Sequence, residues 1–305
     1  MKILVVGATG ALGRPLVRAL RERGLAVRAA CRHPEAAADL AALGAEGVAA
    51  DLVDRASLER ACAGIDRLIM AAHAIMGRGR WCSEAVDDAG VRTLIEVARA
   101  AGVRRFVYCS ALGAAADHPV DFFRTKHAVE QALRASGLPH VILRPSAFME
   151  HHVHAFNGAA LLARGRVDLI GPGTKPRNFI AATDVARAAA LALVEDRPPF
   201  ASLDLGGPDH ASNAEVAALY ARAAGVPLKV RHLPRPAASA IALLAGPFNP
   251  GLARIMRMFA LPDDAYSERF DGAAALEARF GWRLTRLQDF VHDQVARHRA
   301  AAAPA

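Results

Sequence analysis

The sequence of 305 residues has few cysteines and no long apolar run. Its four cysteines are scattered without paired spacing, which argues against a disulfide framework or a zinc motif. The longest apolar segment, 237–245, is much shorter than the roughly 18 residues expected of a membrane span. The N-terminal residues lead straight into an apolar, strand-like segment and do not resemble a signal peptide. We therefore expect a cytoplasmic protein without a membrane segment.

Concentrated positive charge is also missing, although the formal net charge is +8. The arginines are dispersed along the chain, and the densest groups, Arg78/Arg80 and Arg104/Arg105, are short. This dispersion favours a solvated basic surface over a nucleic-acid platform, and part of the charge could serve an anionic ligand. We predict no nucleic-acid partner.

The first half of the chain alternates apolar runs with helical patterns, which is typical of βαβ units on a parallel sheet. We predict an α/β fold with a doubly wound parallel sheet. The predicted strands lie near residues 2–6, 26–30, 47–50, 66–70, 104–109 and 139–143. The predicted helices lie near residues 12–23, 35–43, 55–62, 83–101 and 122–136.

The pattern changes in the second half, where Gly and Pro clusters interrupt short elements. We predict a main domain over residues 1–150 and a smaller C-terminal substrate lobe over 151–299, partly interleaved with the main sheet. The alanine-rich residues 300–305 are expected to form a frayed tail.

A glycine at every third position follows the first predicted strand and opens a helix. This placement is typical of a dinucleotide-binding loop, in which glycines allow a tight turn, close approach to the pyrophosphate, and close helix–strand packing. The helix N-terminus would offer N–H groups to the phosphates. An ordinary glycine-rich turn is the alternative. The predicted cofactor-binding loop consists of Gly7, Ala8, Thr9, Gly10, Ala11, Leu12 and Gly13.

The end of the second predicted strand bears on the choice of cofactor. NAD sites usually place an acidic residue there to bind the ribose 2′-hydroxyl, but this chain has no carboxylate in that region and carries Arg32. A guanidinium can bind a 2′-phosphate, and Arg14 could add a second positive charge. We therefore predict NADP(H) in preference to NAD(H), although Arg32 could instead be a solvated loop residue. Asp51 and Leu52 could flank the adenine, or Asp51 could cap the helix that begins near Arg55.

Several further motifs, together with the glycine loop, resemble the short-chain dehydrogenase/reductase superfamily, and more closely its atypical, NmrA-like members. The resemblance is continuous to about residue 210 and implies a Rossmann-like domain that binds NAD(P). It also implies that Ala71, Ala72 and His73 lie beside the cofactor, although His73 could be structural. The other matching segments are 105–111, 123–131, 143–145, 148–149, 178–180 and 183–186.

One position departs from the superfamily pattern. Standard members carry a serine and a Tyr-x-x-x-Lys motif, and the corresponding residues here are Ser110, Phe122 and Lys126. Phe122 has no hydroxyl and cannot donate a proton. The resemblance to isoflavone reductase-type enzymes implies that Lys126 binds the nicotinamide ribose or acts as an acid or base, and we predict Lys126 and Ser110 as the catalytic residues. The alternatives are a surface ion pair of Lys126 with Glu130, and a turn or capping role for Ser110.

The histidine-rich segment 150–154 offers no convincing third ligand, so no metal site is predicted. The segment is expected instead to line the substrate pocket through Phe148, Met149 and His152.

These features lead us to expect an oxidoreductase that uses NADPH to reduce a small apolar substrate such as a quinone or an enone. The alternative is a non-catalytic NADP-sensing regulator that binds a protein partner, which the missing tyrosine favours. The oligomeric state is left open between monomer and homodimer.

Overall fold

The computed structural model describes residues 1–196, 198 and 200–302. The strands of this part of the chain are β1 (Lys2–Val6), β2 (Ala26–Cys31), β3 (Glu46–Ala49), β4 (Arg67–Met70), β5 (Arg105–Cys109), β6 (His140–Pro145), β7 (Ala147–Phe148), β8 (Val167–Ile170), β9 (Arg177–Ile180), β10 (Ser202–Leu205), β11 (His210–Ala211) and β12 (Val230–Leu233).

The helices are α1 (Gly13–Glu22), α2 (Ala38–Ala42), α3 (Arg55–Cys62), α4 (Val91–Ala100), α5 (Asp121–Ala135), α6 (Ala159–Arg164), α7 (Ala182–Val194), α8 (Asn213–Ala224), α9 (Arg235–Ala245), α10 (Pro250–Ala260), α11 (Ala273–Phe280) and α12 (Leu287–Ala302). Two π-helical segments, Glu84–Gly90 and Met149–Gly158, lead into α4 and α6, and 3₁₀ turns cover Pro34–Ala37 and Gly79–Trp81. None of the helices in these ranges is both long and apolar enough to cross a membrane.

Seven strands form the main sheet in the order β10-β6-β5-β4-β1-β2-β3. Strands β1 to β6 pair in parallel, with Ile3 opposite Val27 on one side and Arg67 on the other. The chain runs outward from β1 to β3 and then returns to build β4 to β6 on the other side of β1. The predicted α/β doubly wound sheet is confirmed, and the six predicted strands of the first half are present with ends shifted by a residue or two. The helices predicted near 35–43 and 83–101 are each divided, the first into a 3₁₀ turn and α2 and the second into a π-helical segment and α4.

The central strands of the main sheet are buried apart from Lys2 at the start of β1, because apolar side chains cover the sheet. Leu68 and Phe106 are fully buried, and α3 and α4 contribute Leu58 and Leu94 to the same core. This packing holds the carboxyl ends of β1, β4 and β5 in fixed positions, where ligands of doubly wound sheets bind.

The chain divides into two compact units. The first comprises residues 1–144, 185–204 and 248–251, so that β10 comes from a later part of the sequence. The second comprises 145–184, 205–247 and the described residues from Leu252 onward. Of the expected tail, residues 300–302 belong to α12, and 303–305 lie outside the described residues.

The second unit has its own core around Val153, Phe179 and Tyr220. Its small sheets have the strand orders β11-β9-β7 and β12-β8. The side chain of Asn178, on β9, organises the adjoining turn because its amide accepts from the backbone N–H of Gly207 and donates to the carbonyl of the same residue.

Two arginines on neighbouring strands of the first unit bind the last turn of α7. Arg67 donates to the carbonyls of Leu193 (2.7 Å) and Val194 (2.9 Å), and Arg105 donates to that of Ala192 (3.1 Å). Both side chains are buried. They satisfy carbonyls that a helix C-terminus leaves without partners, and their positive charge complements the helix dipole.

Candidate cofactor and active site

The glycine loop lies at the carboxyl end of β1. Gly7 has a positive φ of 86°, and its N–H donates to the carbonyl of Ala30 on β2 (3.0 Å). A Cβ on Gly13 would lie 2.2 Å from the carbonyl oxygen of Gly7, so only glycine allows the start of α1 to pack this closely on the loop. Ala8 and Leu12 are buried and contribute packing.

The loop also contacts the segment that follows β4. The N–H of Ala71 donates to the carbonyl of Val6 (3.0 Å), and a Cβ on Gly7 would lie 2.8 Å from the backbone nitrogen of Ala72. The structure therefore brings together the glycine loop and two of the residues predicted beside the cofactor.

The geometry of this loop fits a dinucleotide. Gly7 and Gly13 pack the loop tightly against its protein neighbours, whereas a Cβ on Gly10 would have only the Gly7 carbonyl oxygen, at 3.3 Å, within 4 Å, which leaves the main chain at Gly10 open to a pyrophosphate. No side chain among the described residues caps the N-terminus of α1, which begins at this loop, and the N–H of Arg14 donates to the carbonyl of Gly10 (3.1 Å). The residues that would hold the pyrophosphate are those of the loop and the first turn of α1.

The two arginines predicted to bind the 2′-phosphate differ in their surroundings. Arg14 pairs with Asp39 and donates to the carbonyl of Thr9 (3.1 Å), and this hydrogen bond from Arg14 lowers the pKa of the Asp39 carboxyl. Arg32 is exposed at the end of β2, and no carboxylate in the part of the chain that the structure describes pairs with it. Its guanidinium lies over the ring of Trp81, 5.3 Å from the centroid.

Asp51 is held on both carboxylate oxygens. One oxygen accepts from the N–H of Val53 (3.2 Å), and the other accepts from the indole N–H of Trp81 (2.8 Å). The interpretation of Asp51 as the cap of α3 is wrong, because Asp54 is the residue that caps this helix. Leu52 is buried, and its backbone lies against Gly90.

Lys126 is buried on α5, with only 3% of its surface exposed. Its Nζ donates to the carbonyl of Cys109 at the end of β5 (3.1 Å). The same nitrogen lies 5.0 Å from the ring centroid of Tyr108 and 5.5 Å from that of Phe122. The surface ion pair of Lys126 with Glu130 is therefore wrong, because Lys126 faces the sheet and Glu130 has other partners.

Ser110 follows β5 and belongs to a buried network. Its hydroxyl donates to Glu130 (2.6 Å), whose carboxylate also accepts two hydrogen bonds from Arg144 (2.8 and 2.5 Å). Burial would raise the pKa of the Glu130 carboxyl, but the hydrogen bonds from Arg144 and Ser110 outweigh it and lower the pKa. The Ser110 proton therefore points to an ionised carboxylate, which leaves the serine oxygen as an acceptor.

Tyr108 is not a ready substitute for the missing tyrosine. Its hydroxyl is buried and makes no hydrogen bond to any described residue, and burial raises its pKa well above the usual value. Cys109 is also buried, and burial raises the pKa of its thiol to about 11. Neither group is ionised near neutral pH, and both contribute packing beneath Lys126.

His73 is exposed after β4, and its ring lies edge-on to that of Phe122 at 6.3 Å between centroids. The segment after it is fixed by Asp87, which is only 1% exposed and accepts from the N–H of Ala74 (2.8 Å) and from the Ser83 hydroxyl (2.5 Å). His73 is thereby placed on the same side of the sheet end as Phe122.

The three predicted substrate residues lie in the second unit. Phe148 and His152 are half-buried, and the His152 ring lies edge-on to Phe156 at 5.4 Å. Met149 is fully buried in the core of this unit, which favours a packing role for its side chain. No group of three or more His, Cys, Asp or Glu among the described residues is arranged to hold a metal ion.

Sequence reasoning missed three residues of this site: Trp81, Glu130 and Arg144. Glu130 lies one helical turn after Lys126, a spacing that entered only through the alternative of a surface ion pair. Trp81 is one of only two tryptophans in the chain, which was a signal that could have drawn attention to its loop.

Comparisons with known proteins agree with this geometry. A family model described as NAD(P)H-binding matches residues 7–196. The NAD(P)H azoreductase of Xenophilus azovorans is 31% identical over 74% of this chain and 75% of its own length. The photosystem II assembly factor Ycf39 of Guillardia theta is 26% identical over 97% of this chain and 95% of its own length.

Among solved structures, the NADPH-dependent quinone oxidoreductase QOR2 of Escherichia coli in complex with NADPH has the same fold. The TM-score is 0.76 at 24% identity, and the alignment covers 96% of this chain and 99% of the other.

Proposed function

We propose that this chain, which belongs to the NAD(P)H-binding family, uses NADP(H) in preference to NAD(H). It is an NAD(P)H-dependent oxidoreductase of the atypical short-chain dehydrogenase/reductase kind. The proposed substrate is small, electron-poor and apolar, such as a quinone or an enone. The observation that carries the cofactor choice is Arg32. It is exposed at the end of β2, without a carboxylate partner among the described residues, where an NAD site would place an acidic side chain.

The proposed substrate class rests on the lack of a suitable side-chain acid beside Lys126 among the described residues. Phe122 has no hydroxyl, the Tyr108 hydroxyl is buried, and the Ser110 proton is directed to Glu130. Reduction of a simple ketone produces a basic alkoxide and benefits from a positioned acid. Reduction of a quinone produces a much less basic phenolate, which water can protonate. The azoreductase relative is consistent with an acceptor that is conjugated and electron-poor.

NADPH supplies the hydride when it is bound, and the chain supplies position and electrostatics. The glycine loop and the start of α1 would hold the pyrophosphate. Lys126 would bind the nicotinamide ribose, since its Nζ is fixed by the Cys109 carbonyl and two ring faces at the end of β5. Its positive charge also favours the negative charge that develops on the acceptor.

Steady-state kinetics with a quinone acceptor test this proposal. We expect kcat/KM with NADPH to exceed that with NADH in the wild-type protein. Arg32→Gln should lower the NADPH value by about tenfold or more, because a charge-assisted hydrogen bond contributes about 1.5–3 kcal/mol, and should leave the NADH value unchanged. Arg18→Gln, an exposed position on α1, is the charge-matched control. A wild-type preference for NADH, or an unchanged cofactor ratio in Arg32→Gln, would contradict the proposal.

A second role is dinucleotide-dependent binding of a protein partner. The assembly factor relative and the occupied Ser110 hydroxyl favour it. In that case NADP⁺ and NADPH should bind with different affinities while a panel of quinones, enones and azo compounds gives no turnover. Turnover with any of these acceptors would refute a purely non-catalytic role.

A further inference from the structure

The loop after β4 crosses the carboxyl end of the main sheet. It starts beside the glycine loop at Ala72 and ends at Trp81, whose indole N–H donates to Asp51, the second residue after β3. Because the strand order is β4-β1-β2-β3, a loop that joins these two points must pass the ends of β1 and β2. These are the strands that carry the glycine loop and Arg32.

The loop is held in this path at three points. Asp87 accepts from the N–H of Ala74, the N–H of Gly77 donates to the carbonyl of Ala74 (2.7 Å), and Asp51 holds Trp81. A Cβ on Gly77 would lie 1.9 Å from the carbonyl oxygen of Trp81, so the turn closes tightly on itself. The position of Trp81 is therefore determined by the fold of the first unit.

Trp81 gathers two guanidinium groups. The Cζ atom of Arg32 lies 5.3 Å from its ring centroid, and that of Arg80 lies 5.2 Å from it. Oδ2 of Asp51 also lies 3.8 Å from Nη2 of Arg80. A guanidinium that contacts a ring face keeps its N–H groups free at its edge, where they can bind phosphate oxygens.

We propose that Arg80 is a second determinant of NADP(H) specificity and that it binds the adenosine 2′-phosphate together with Arg32, while Trp81 holds the two guanidiniums at the required spacing. The inference rests on the proposed preference for NADP(H). A phosphomonoester carries close to two negative charges, which one arginine does not balance. Arg14 does not supply the second positive charge, because its guanidinium hydrogen-bonds to Asp39, whereas Nη2 of Arg80 lies 3.8 Å from Oδ2 of Asp51, beyond hydrogen-bond distance. Arg80 is 62% exposed and shares the ring of Trp81 with Arg32.

Asp51 acts as a positioning residue in this arrangement. Its hydrogen bond to the indole and its proximity to Arg80 fix the end of the loop, and its other oxygen is occupied by the N–H of Val53. The adenosine pocket is thus built from three strand ends and one loop, and the specificity residues come from β2 and from the loop after β4.

Titration calorimetry with cofactor fragments on the full chain tests the proposal. The probes are adenosine 2′,5′-bisphosphate and AMP, which differ only in the 2′-phosphate. We expect Arg80→Gln to weaken binding of the bisphosphate by about tenfold or more, in line with the loss of a charge-assisted contact, and to leave AMP binding unchanged. Arg78→Gln, two residues earlier in the same loop and also exposed, removes the same charge and should change neither.

The outcomes separate this inference from the proposed function. If Arg32→Gln weakens bisphosphate binding but Arg80→Gln behaves like Arg78→Gln, NADP(H) specificity stands and the role of Arg80 is refuted. If neither Arg32→Gln nor Arg80→Gln alters the bisphosphate-to-AMP ratio, both fail. If both variants lower that ratio, both stand.

Tryptophan fluorescence gives an independent measurement. In a Trp282→Phe background, which replaces a ring stacked on Phe280 in the second unit, Trp81 is the remaining tryptophan. We expect the bisphosphate to change the emission of Trp81 more than AMP does, because the 2′-phosphate would bind the two guanidiniums that contact its ring. Equal responses to the two probes at saturation would refute the role of Trp81.

Discussion

Two regions at the carboxyl end of the main sheet differ in the exposure of their charged side chains. The adenosine side, formed by Arg32, Asp51, Arg80 and Trp81, keeps its arginines exposed and rests them on an aromatic ring. The lysine side, formed by Ser110, Lys126, Glu130 and Arg144, buries both Lys126 and Glu130 and satisfies them with internal partners.

We infer that the difference in exposure reflects two roles, selection of a ligand on the adenosine side and fixed positioning of side chains on the lysine side. Arg32 is exposed and has no carboxylate partner among the described residues, and the ion pair of Arg80 with Asp51 is longer than a hydrogen bond. Both guanidiniums therefore have binding capacity left for an anion, and losing either should change which ligand binds. A buried charge must be paired within the fold because the cost of desolvating it is high. It therefore contributes fixed position rather than selectivity. On this view, changes on the adenosine side alter affinity, and changes on the lysine side alter turnover or stability.

The largest effect is expected at the loop that both regions adjoin. Gly13→Ala places a Cβ 2.2 Å from the Gly7 carbonyl oxygen, so the loop or α1 must move. We expect loss of measurable NADPH binding by calorimetry, with the fold retained by circular dichroism. Gly246→Ala, at the end of α9, is the control, since its nearest neighbour would lie 3.3 Å away. NADPH binding by Gly13→Ala at wild-type affinity would show that the glycine loop is not the phosphate site.

A smaller effect on turnover is expected at Lys126. Lys126→Met keeps an unbranched side chain among the rings of Tyr108 and Phe122 but removes the positive charge. We expect kcat to fall by about 10²-fold, the range of an electrostatic or acid–base contribution, while adenosine bisphosphate binds as in the wild type. Rates are compared by NADPH absorbance with a quinone acceptor, and exposed Lys229→Met is the control. A change confined to bisphosphate affinity would reverse the assignment of the two regions.

The smallest effect is expected in the stability of the Glu130 network. Glu130→Gln removes the negative charge that Arg144 and Ser110 contact, and we expect about 1–3 kcal/mol less stability at neutral pH in urea unfolding. The folded-state pKa of Glu130 is lowered, so this stabilisation is present above the ordinary glutamate pKa and is lost as the pH falls through the lower folded value.

The difference in the free energy of unfolding between the wild type and Glu130→Gln should accordingly become smaller at acidic pH. Exposed Glu59→Gln on α3 is the control. A difference in unfolding free energy that is the same at every pH would show that the carboxylate charge is not what stabilises the network.

The fold of the first half could be predicted because its signals are local. Apolar runs mark strands buried on both faces, and the Gly7 and Gly13 spacing reflects contacts between near neighbours in sequence. The sequence predicts one helix over 83–101, but the part Glu84–Gly90 is π-helical, and in this part Gly90 packs against the Leu52 backbone and Asp87 accepts from the N–H of Ala74. Such contacts join distant residues and leave no periodic trace.

The charged groups of the site show the same limit. Arg32 was identified because its position at a strand end carries the information. Arg14, one residue past the loop, has the same charge and was also predicted to bind the 2′-phosphate, but it forms an ion pair with Asp39. The roles of Glu130 and Arg144 depend on α5 and β6 facing each other, and that of Trp81 depends on a loop crossing three strand ends. Their pairing is set by tertiary packing, which single-sequence patterns do not encode.

The discontinuity of the first unit has a consequence for dissecting the protein. A chain truncated near residue 150 would retain every residue of the adenosine and lysine sides but would lack α7 and β10. The N–H of Ile142 would lose its acceptor at Ala201, leaving β6 as an unprotected sheet border prone to intermolecular pairing. Arg67 and Arg105 would lose the carbonyls of α7 that they bind. The segment 185–204 is therefore needed to complete the fold of the unit that contains the cofactor loop.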